Sequence, residues 1–82
     1  MISTILTAIR DGIKIGTTIA AGQSSERELG ENIIKASVIN IIADAGVTIL
    51  LGSPITLGSL VATGIFTAVG AYVINKFRSW LK

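Results

Sequence analysis

The sequence predicts an all-α protein: a short amphipathic N-terminal helix followed by a hairpin of two long hydrophobic helices. Half of its 82 residues are apolar and only 15% are charged, and the mean hydropathy is +0.73. Residues 55–75 form a run without a single charge, which is long enough to cross the roughly 30 Å hydrocarbon core of a bilayer as a helix. Composition and this run together predict one small helical unit that lives in a membrane or is assembled from one.

The first predicted helix covers residues 1–21 and is amphipathic. Ile2, Ile5, Ile9 and Ile13 recur at helical spacing, and the opposite face is polar; that face carries Thr7, Arg10, Asp11, Lys14 and Thr18. Such a helix suits a membrane interface or the surface of a neighbour better than a membrane crossing. Because glycines at positions 12 and 16 weaken it as an isolated helix, we expect a partner surface to support it.

The two long helices are predicted over residues 25–52 and 54–81. Ser25 followed by Glu28 matches a capping box, which indicates a helix start. Gly52 is expected to end the first long helix, with Ser53 as the N-cap and Pro54 at the first position of the next. A connection this short makes the two helices antiparallel neighbours.

Polar residues follow one face of each long helix at intervals of three and four. These two stripes consist of Ser37, Asn40, Asp44 and Thr48 on the first and Thr56, Ser59, Thr63 and Thr67 on the second. Facing each other, they form a hydrogen-bonded seam, and each such contact in lipid contributes about 0.6 kcal/mol. In an oligomer the same stripes can instead line a wet lumen. An internal seam predicts that Asp44→Asn is tolerated, and a lumen predicts altered conductance or DNA passage.

Asp44 is the most informative polar residue because it falls near the middle of an otherwise apolar helix. A carboxylate at the bilayer centre costs about 2.5–3.5 kcal/mol on insertion scales, so it faces protein or water and has a role, of which ion or proton translocation is one. Lys35 is nine residues away, about 13 Å along the helix, and cannot reach it. We therefore expect either a partner from another subunit or a protonated carboxyl group.

Small residues surround the last helix instead of forming one stripe. They are Gly58, Ala62, Gly64, Ala68, Gly70 and Ala71, and they let helix backbones approach closely where lipid removes the hydrophobic driving force. Small residues on several faces indicate packing on several neighbours, as in a polymer; the alternative is that glycine and alanine are simply common in membrane helices. The polymer interpretation predicts that leucine at Gly64 or Gly70 blocks assembly.

A basic tail, Lys76, Arg78 and Lys82, follows the apolar run and has Trp80 among its residues. This combination is typical of a membrane–water boundary, and the positive-inside rule places both ends of the hairpin in the cytoplasm. The tail anchors the topology, contacts anionic lipid or contacts nucleic acid.

An enzymatic function is not expected. The chain has no Cys and no His, which removes thiol chemistry and the commonest general base and metal ligand. It also lacks a phosphate-binding glycine loop and a pair of carboxylates suited to acid–base work. We expect no catalytic, cofactor or metal residues and no small-molecule substrate.

The arrangement of a leading helix, two apolar helices joined by a tight turn and faces rich in Gly, Ala and Thr resembles the major pilins of conjugative type IV secretion systems and of archaeal DNA-import pili. The resemblance covers residues 25–82 and is one of pattern. It implies a structural subunit that waits in the cell membrane as a hairpin and then assembles in many copies into a hollow surface filament. The resemblance also implies contact with membrane lipid, phospholipid bound in the filament and the possible passage of DNA.

Two other classes share parts of this pattern. Two apolar helices, a short turn and a basic tail fit one class of phage holins, and other small pore-forming membrane proteins are a more distant option. Residues 71–82, AYVINKFRSWLK, resemble the end of a filamentous-phage coat protein, so the coat of a filamentous or membrane-containing virion is a third possibility.

Overall fold

The structure, a computed structural model, describes residues 1–81, and these form three α-helices. They are α1 (Ile2–Gly22), α2 (Glu26–Leu50) and α3 (Leu57–Leu81). Each helix contacts both others, with α2 antiparallel to its neighbours, and the bundle is elongated, 44 × 25 × 14 Å. The prediction of an all-helical protein with two long apolar helices is confirmed.

The expectation of a short leading helix is wrong, since α1 has 21 residues against 25 in each of the other helices. Gly12 and Gly16 do not interrupt it. Tertiary contacts commonly override weak helix propensity, and α1 packs along both α2 and α3. The helix is therefore an equal third member of the bundle.

The start of α2 lies where the sequence places it, although the capping box does not form. Ser25 is the N-cap, with an extended backbone at φ −63° and ψ 155°, but its side chain makes no capping hydrogen bond. The preceding hydroxyl, Ser24 Oγ, accepts a 2.6 Å hydrogen bond from Asn32 Nδ2. The corner between α1 and α2 is thus fastened by Ser24.

The turn between α2 and α3 begins as predicted and ends later. Gly52 has φ +73°, and the N–H groups of Gly52 and Ser53 donate to the carbonyls of Ile49 and Thr48, which is a Schellman ending that glycine favours. Residues 53–56 are not helical, so α3 begins at Leu57 and not at Pro54. Its N-cap is Thr56, whose Oγ1 accepts a hydrogen bond from the Ser59 N–H at 3.2 Å. The predicted N-cap, Ser53, is therefore three residues too early.

The bundle has a small interior and an apolar exterior. Its buried apolar cluster consists of Ala21, Ala36 and Ala71, with Ile33 packed against it. Four polar side chains, Asn40, Thr63, Thr67 and Asn75, are also buried. All three helices meanwhile expose large apolar side chains along their length, among them Ile5, Ile9 and Ile13 on α1, Ile34, Ile42 and Ile49 on α2, and Ile65, Phe66 and Val73 on α3. This distribution is the reverse of a soluble domain's.

The most closely packed glycine is Gly22, at the contact between α1 and α3. A Cβ built on Gly22 would lie 2.5 Å from Ile74 Cγ2, 2.6 Å from Ile74 Cβ and 3.0 Å from the Ala71 carbonyl oxygen. These are atoms near the α3 backbone and cannot easily move. Only glycine fits at this position.

We expect Gly22→Ala to destabilise the bundle by about 1–3 kcal/mol, the usual cost of forcing extra volume into a packed contact. Gly46→Ala is the matched control: it lies in the interior of α2, and a Cβ there meets nothing within 4 Å. Alanine at Gly46 should stabilise by about 0.5–1 kcal/mol through helix propensity. Chemical unfolding in detergent micelles measures both, and equal stability of the two variants would contradict the observed approach.

Candidate functional site

The interior polar network is centred on Asn40 of α2, whose side chain is 0% exposed. Its Nδ2 donates to Thr67 Oγ1 of α3 at 2.9 Å and lies 3.3 Å from Thr18 Oγ1 of α1. Its Oδ1 accepts a hydrogen bond from the Thr17 hydroxyl. One amide therefore joins all three helices, and its donors and acceptor are satisfied, as burial requires.

Asp44 lies one turn further along the same face of α2 and carries the ionic part of the network. Its Oδ1 is 3.5 Å from Arg10 Nε and its Oδ2 is 3.5 Å from Lys14 Nζ, while the Thr63 hydroxyl of α3 donates to Oδ2. The Asp44 side chain is 14% exposed, and those of Arg10 and Lys14 are 26% and 30% exposed. Arg10 also contacts its neighbour Asp11 at 3.1 Å. Two cations thus meet two carboxylates, and the group as a whole is neutral.

The structure brings together half of the predicted seam residues and leaves the rest at the edges. Asn40, Asp44, Thr63 and Thr67 join the network. Thr48 donates to the Asp44 carbonyl of its own helix, and Ser37 is half-buried. Thr56 and Ser59 are exposed at the start of α3 and bond to each other.

Sequence reasoning missed that α1 supplies a third side of the network. We expected Asp44 either to pair with another subunit or to be protonated. Its cationic partners are instead Arg10 and Lys14 of the same chain. A signal was present: Arg10, Lys14 and Thr18 recur every four residues on the polar face of α1. What the sequence could not supply is that this polar face, and not the isoleucine face, turns inward.

A second polar cluster ties the C-terminal part of α3 to the corner between α1 and α2. Asn75 Nδ2 donates to the Gly22 carbonyl at 3.0 Å and to the Ser24 carbonyl at 2.7 Å. In the predicted basic tail, Lys76 Nζ lies 3.3 Å from Glu26 Oε1, and Arg78 donates to a main-chain carbonyl of this corner, that of residue 23. Lys82 lies outside the described residues.

The predicted small residues of α3 divide between internal packing and the surface. A Cβ on Gly70 would lie 3.0 Å from Thr18 Cγ2 of α1, and one on Gly64 would lie 3.7 Å from Ile41 Cδ1 of α2. Ala71 is fully buried, Ala62 and Ala68 are half-buried, and nothing lies within 4 Å of a Cβ on Gly58. Part of this set therefore serves contacts within the chain.

The arrangement is built to hold helices together. Its hydroxyl groups donate to carbonyl or carboxylate oxygens and its cations face carboxylates. Within residues 1–81, no three acidic side chains lie close enough together to hold a metal ion. By length and composition, α2 and α3 can each cross a membrane, with a mean hydropathy of 1.8 in the most apolar window of each.

Comparisons with protein-family models, curated protein sequences and solved structures give no match for this chain.

Asp44→Asn is expected to destabilise the bundle, which reverses the outcome predicted for a seam without cations. The substitution leaves Arg10 and Lys14 facing each other with no counter-charge from α2. Because the three side chains are partly exposed, the cost should fall between that of surface and buried pairs, about 1–3 kcal/mol. The free energy of unfolding in detergent micelles measures it.

Asp11→Asn is the matched control, since it makes the same chemical change on a side chain that is 53% exposed and whose ion pair within residues 1–81 is with Arg10. Its effect should stay within about 0.5 kcal/mol. Adding Lys14→Met to Asp44→Asn should recover part of the loss, because one unpaired cation is removed. Equal stability of the Asp44 and Asp11 variants would show that the ionic contact does not hold α1 in place.

Proposed function

We propose that the protein is a structural subunit of a membrane-derived assembly of many copies, pilin-like in organisation, that enters the cell membrane first and a surface filament afterwards. No catalytic function is part of the proposal. The observation that carries it is the reversed distribution of polarity: buried polar groups pair inside the bundle, and large apolar side chains are exposed along all three helices. Such a surface requires lipid or further copies of the chain around it.

Small residues on the outer surface support packing between copies. Ala8, Gly12, Gly16 and Ala20 recur every four residues along α1 and are all exposed, and a Cβ on Gly12 or Gly16 would meet nothing within 4 Å. Residues four apart share one helix face. This face allows a neighbouring helix to approach as closely as in other membrane-helix pairs built on small residues.

The bundle also suggests how the subunit crosses the membrane. Arg10 of α1 lies at the level of Asp44 of α2, and the two helices run in opposite directions. From that level, Met1 and Gly52 are nine and eight residues further along, about 12–14 Å in each case. The N-terminus thus lies at the end of the bundle that holds the α2–α3 turn. If all three helices cross together, it faces the side opposite the basic tail.

Cysteine labelling tests this topology without background, because the chain has no native Cys. We expect Ser3→Cys and Ser53→Cys to react from one side of sealed vesicles with a membrane-impermeant maleimide. Gln23→Cys, at the α1–α2 corner, should react from the other. Labelling of Ser3→Cys from the same side as Gln23→Cys would mean that α1 lies on the membrane surface and does not cross it.

For assembly, we expect Gly16→Leu and Gly58→Leu to abolish filaments and to leave insertion and the unfolding free energy of the isolated subunit nearly unchanged. Both positions are open in the single chain. Gly70→Leu is the contrasting variant. A Cβ on Gly70 would lie only 3.0 Å from Thr18 Cγ2 of α1, so a leucine there should destabilise the subunit itself. Electron microscopy of membrane extracts scores the filaments.

Normal filaments from both Gly16→Leu and Gly58→Leu would mean that these small outer residues do not pack between copies. A holin-like function would give a different result altogether. Expression in bacteria would then cause an abrupt and timed collapse of the membrane potential followed by lysis, with no filaments.

A further inference from the structure

A small cleft lies where the C-terminal part of α3 meets the start of α2. It has a volume of about 110 Å³, several times the roughly 30 Å³ that one water occupies. Its lining consists of Ser24, Ser25, Glu26, Asn75, Arg78 and Ser79. Every one of these residues has a polar side chain, in contrast to the apolar outer faces of the bundle.

One side of this cleft offers hydrogen-bond donors and positive charge. In the first turn of α2, the Glu28 N–H donates to the Ser25 carbonyl at 3.0 Å, whereas those of Glu26 and Arg27 have no acceptor within the helix. The Ser25 side chain does not cap them. The positive end of the helix dipole favours an anion there. Arg78 adds a guanidinium, of which one nitrogen donates to the residue 23 carbonyl, and this leaves further N–H donors of a group that has five.

The other side offers acceptors. Asn75 is 4% exposed, and both hydrogens of its amide nitrogen are used on the carbonyls of Gly22 and Ser24. Those two bonds fix the orientation of the amide, and its Oδ1 is buried with no hydrogen-bond partner within residues 1–81. A buried acceptor without a hydrogen bond destabilises the fold by about 1–3 kcal/mol. A ligand that donates a hydrogen bond to this oxygen would remove that cost. Glu26 stands nearby with its charge balanced by Lys76 at 3.3 Å.

We infer that this cleft binds a phosphate ester whose other arm ends in a hydrogen-bond donor, either a hydroxyl or an ammonium group. The phosphate faces Arg78 and the α2 N-terminus, and the donor faces Asn75 Oδ1. A glycerophospholipid headgroup and a soluble phosphate ester share this chemistry. The lipid source rests on the membrane location proposed above, whereas the binding chemistry does not.

Titration of the purified protein in a neutral detergent, followed by ¹⁵N–¹H NMR, tests the inference. The probes are short-chain phosphatidylglycerol, phosphatidylethanolamine, phosphatidylcholine and glycerol phosphate. We expect the Asn75 side-chain amide signals to shift with the first two. Phosphatidylcholine, whose headgroup has no N–H or O–H donor, should bind at least about fivefold more weakly, the loss of one modest hydrogen bond.

Arg78→Gln should weaken binding of phosphatidylglycerol about tenfold or more, since a charge-assisted contact to the phosphate is lost. Arg27→Gln is the matched control: it removes the same charge from an exposed residue at the same end of the bundle that does not line the cleft. It should change the affinity by less than about twofold if phosphate contact and not net charge is measured.

Equal binding of phosphatidylcholine and phosphatidylglycerol, unshifted Asn75 signals, or equal losses from the two arginine variants would overturn the inference. Binding of glycerol phosphate as tight as that of phosphatidylglycerol would support the cleft and assign it to a soluble ester. Filament formation is scored separately by microscopy. Filaments that form while the cleft binds none of the probes would overturn this inference alone, and binding without filaments would overturn only the proposed assembly.

Discussion

The ionic contact of Asp44 with Arg10 and Lys14 sets the rotation of α1 against the other two helices. Charges of one chain that lie among apolar side chains are stable only when they are paired. Turning α1 so that its two cations meet the carboxylate carries Thr17 and Thr18 towards Asn40. The same rotation sends the isoleucine face outward. Polar pairing, and not burial of apolar area, therefore decides which face of α1 points inward.

The axial register follows from the same contact. With Arg10 level with Asp44 and Thr63, the parallel course of α1 and α3 brings Thr18 beside Gly70 and Gly22 beside Ile74. Each of these pairs places a glycine opposite a branched side chain, so a shift of one residue would replace a fit by a clash. Asn75 then reaches the carbonyls at the end of α1. Charge pairing thus determines which face of α1 points inward, and close packing at Gly22 and Gly70 excludes shifted registers of α1 against α3.

Sequence patterns predicted what is local to each helix and failed where helices must recognise one another. Gly52 was predictable because a left-handed ending selects glycine, and the start of α2 followed from Ser25 and the acidic residues after it. Periodicity also separated the faces of all three helices. It could not tell that Asp44 finds its cations on α1, because periodicity gives faces and not partners. The start of α3 was misplaced because Pro54 is as compatible with an extended turn as with a first helical turn.

Charged side chains are distributed unevenly along the bundle, and this bears on the proposed assembly. Residues 45–62 and the side chains of residues 1–9 carry no charge, and together they form the end that holds the α2–α3 turn. The opposite end holds residues 26–35 together with Lys76 and Arg78, with both signs present. Moving charged side chains across a bilayer is costly, so in the proposed assembly the uncharged end would enter the membrane first. Under this proposal every copy would insert in the same direction, and the charged ends of adjacent copies would lie at the same depth. A filament with one polarity needs subunits that are aligned in this way before they assemble, and the charge distribution of the single chain would favour that alignment.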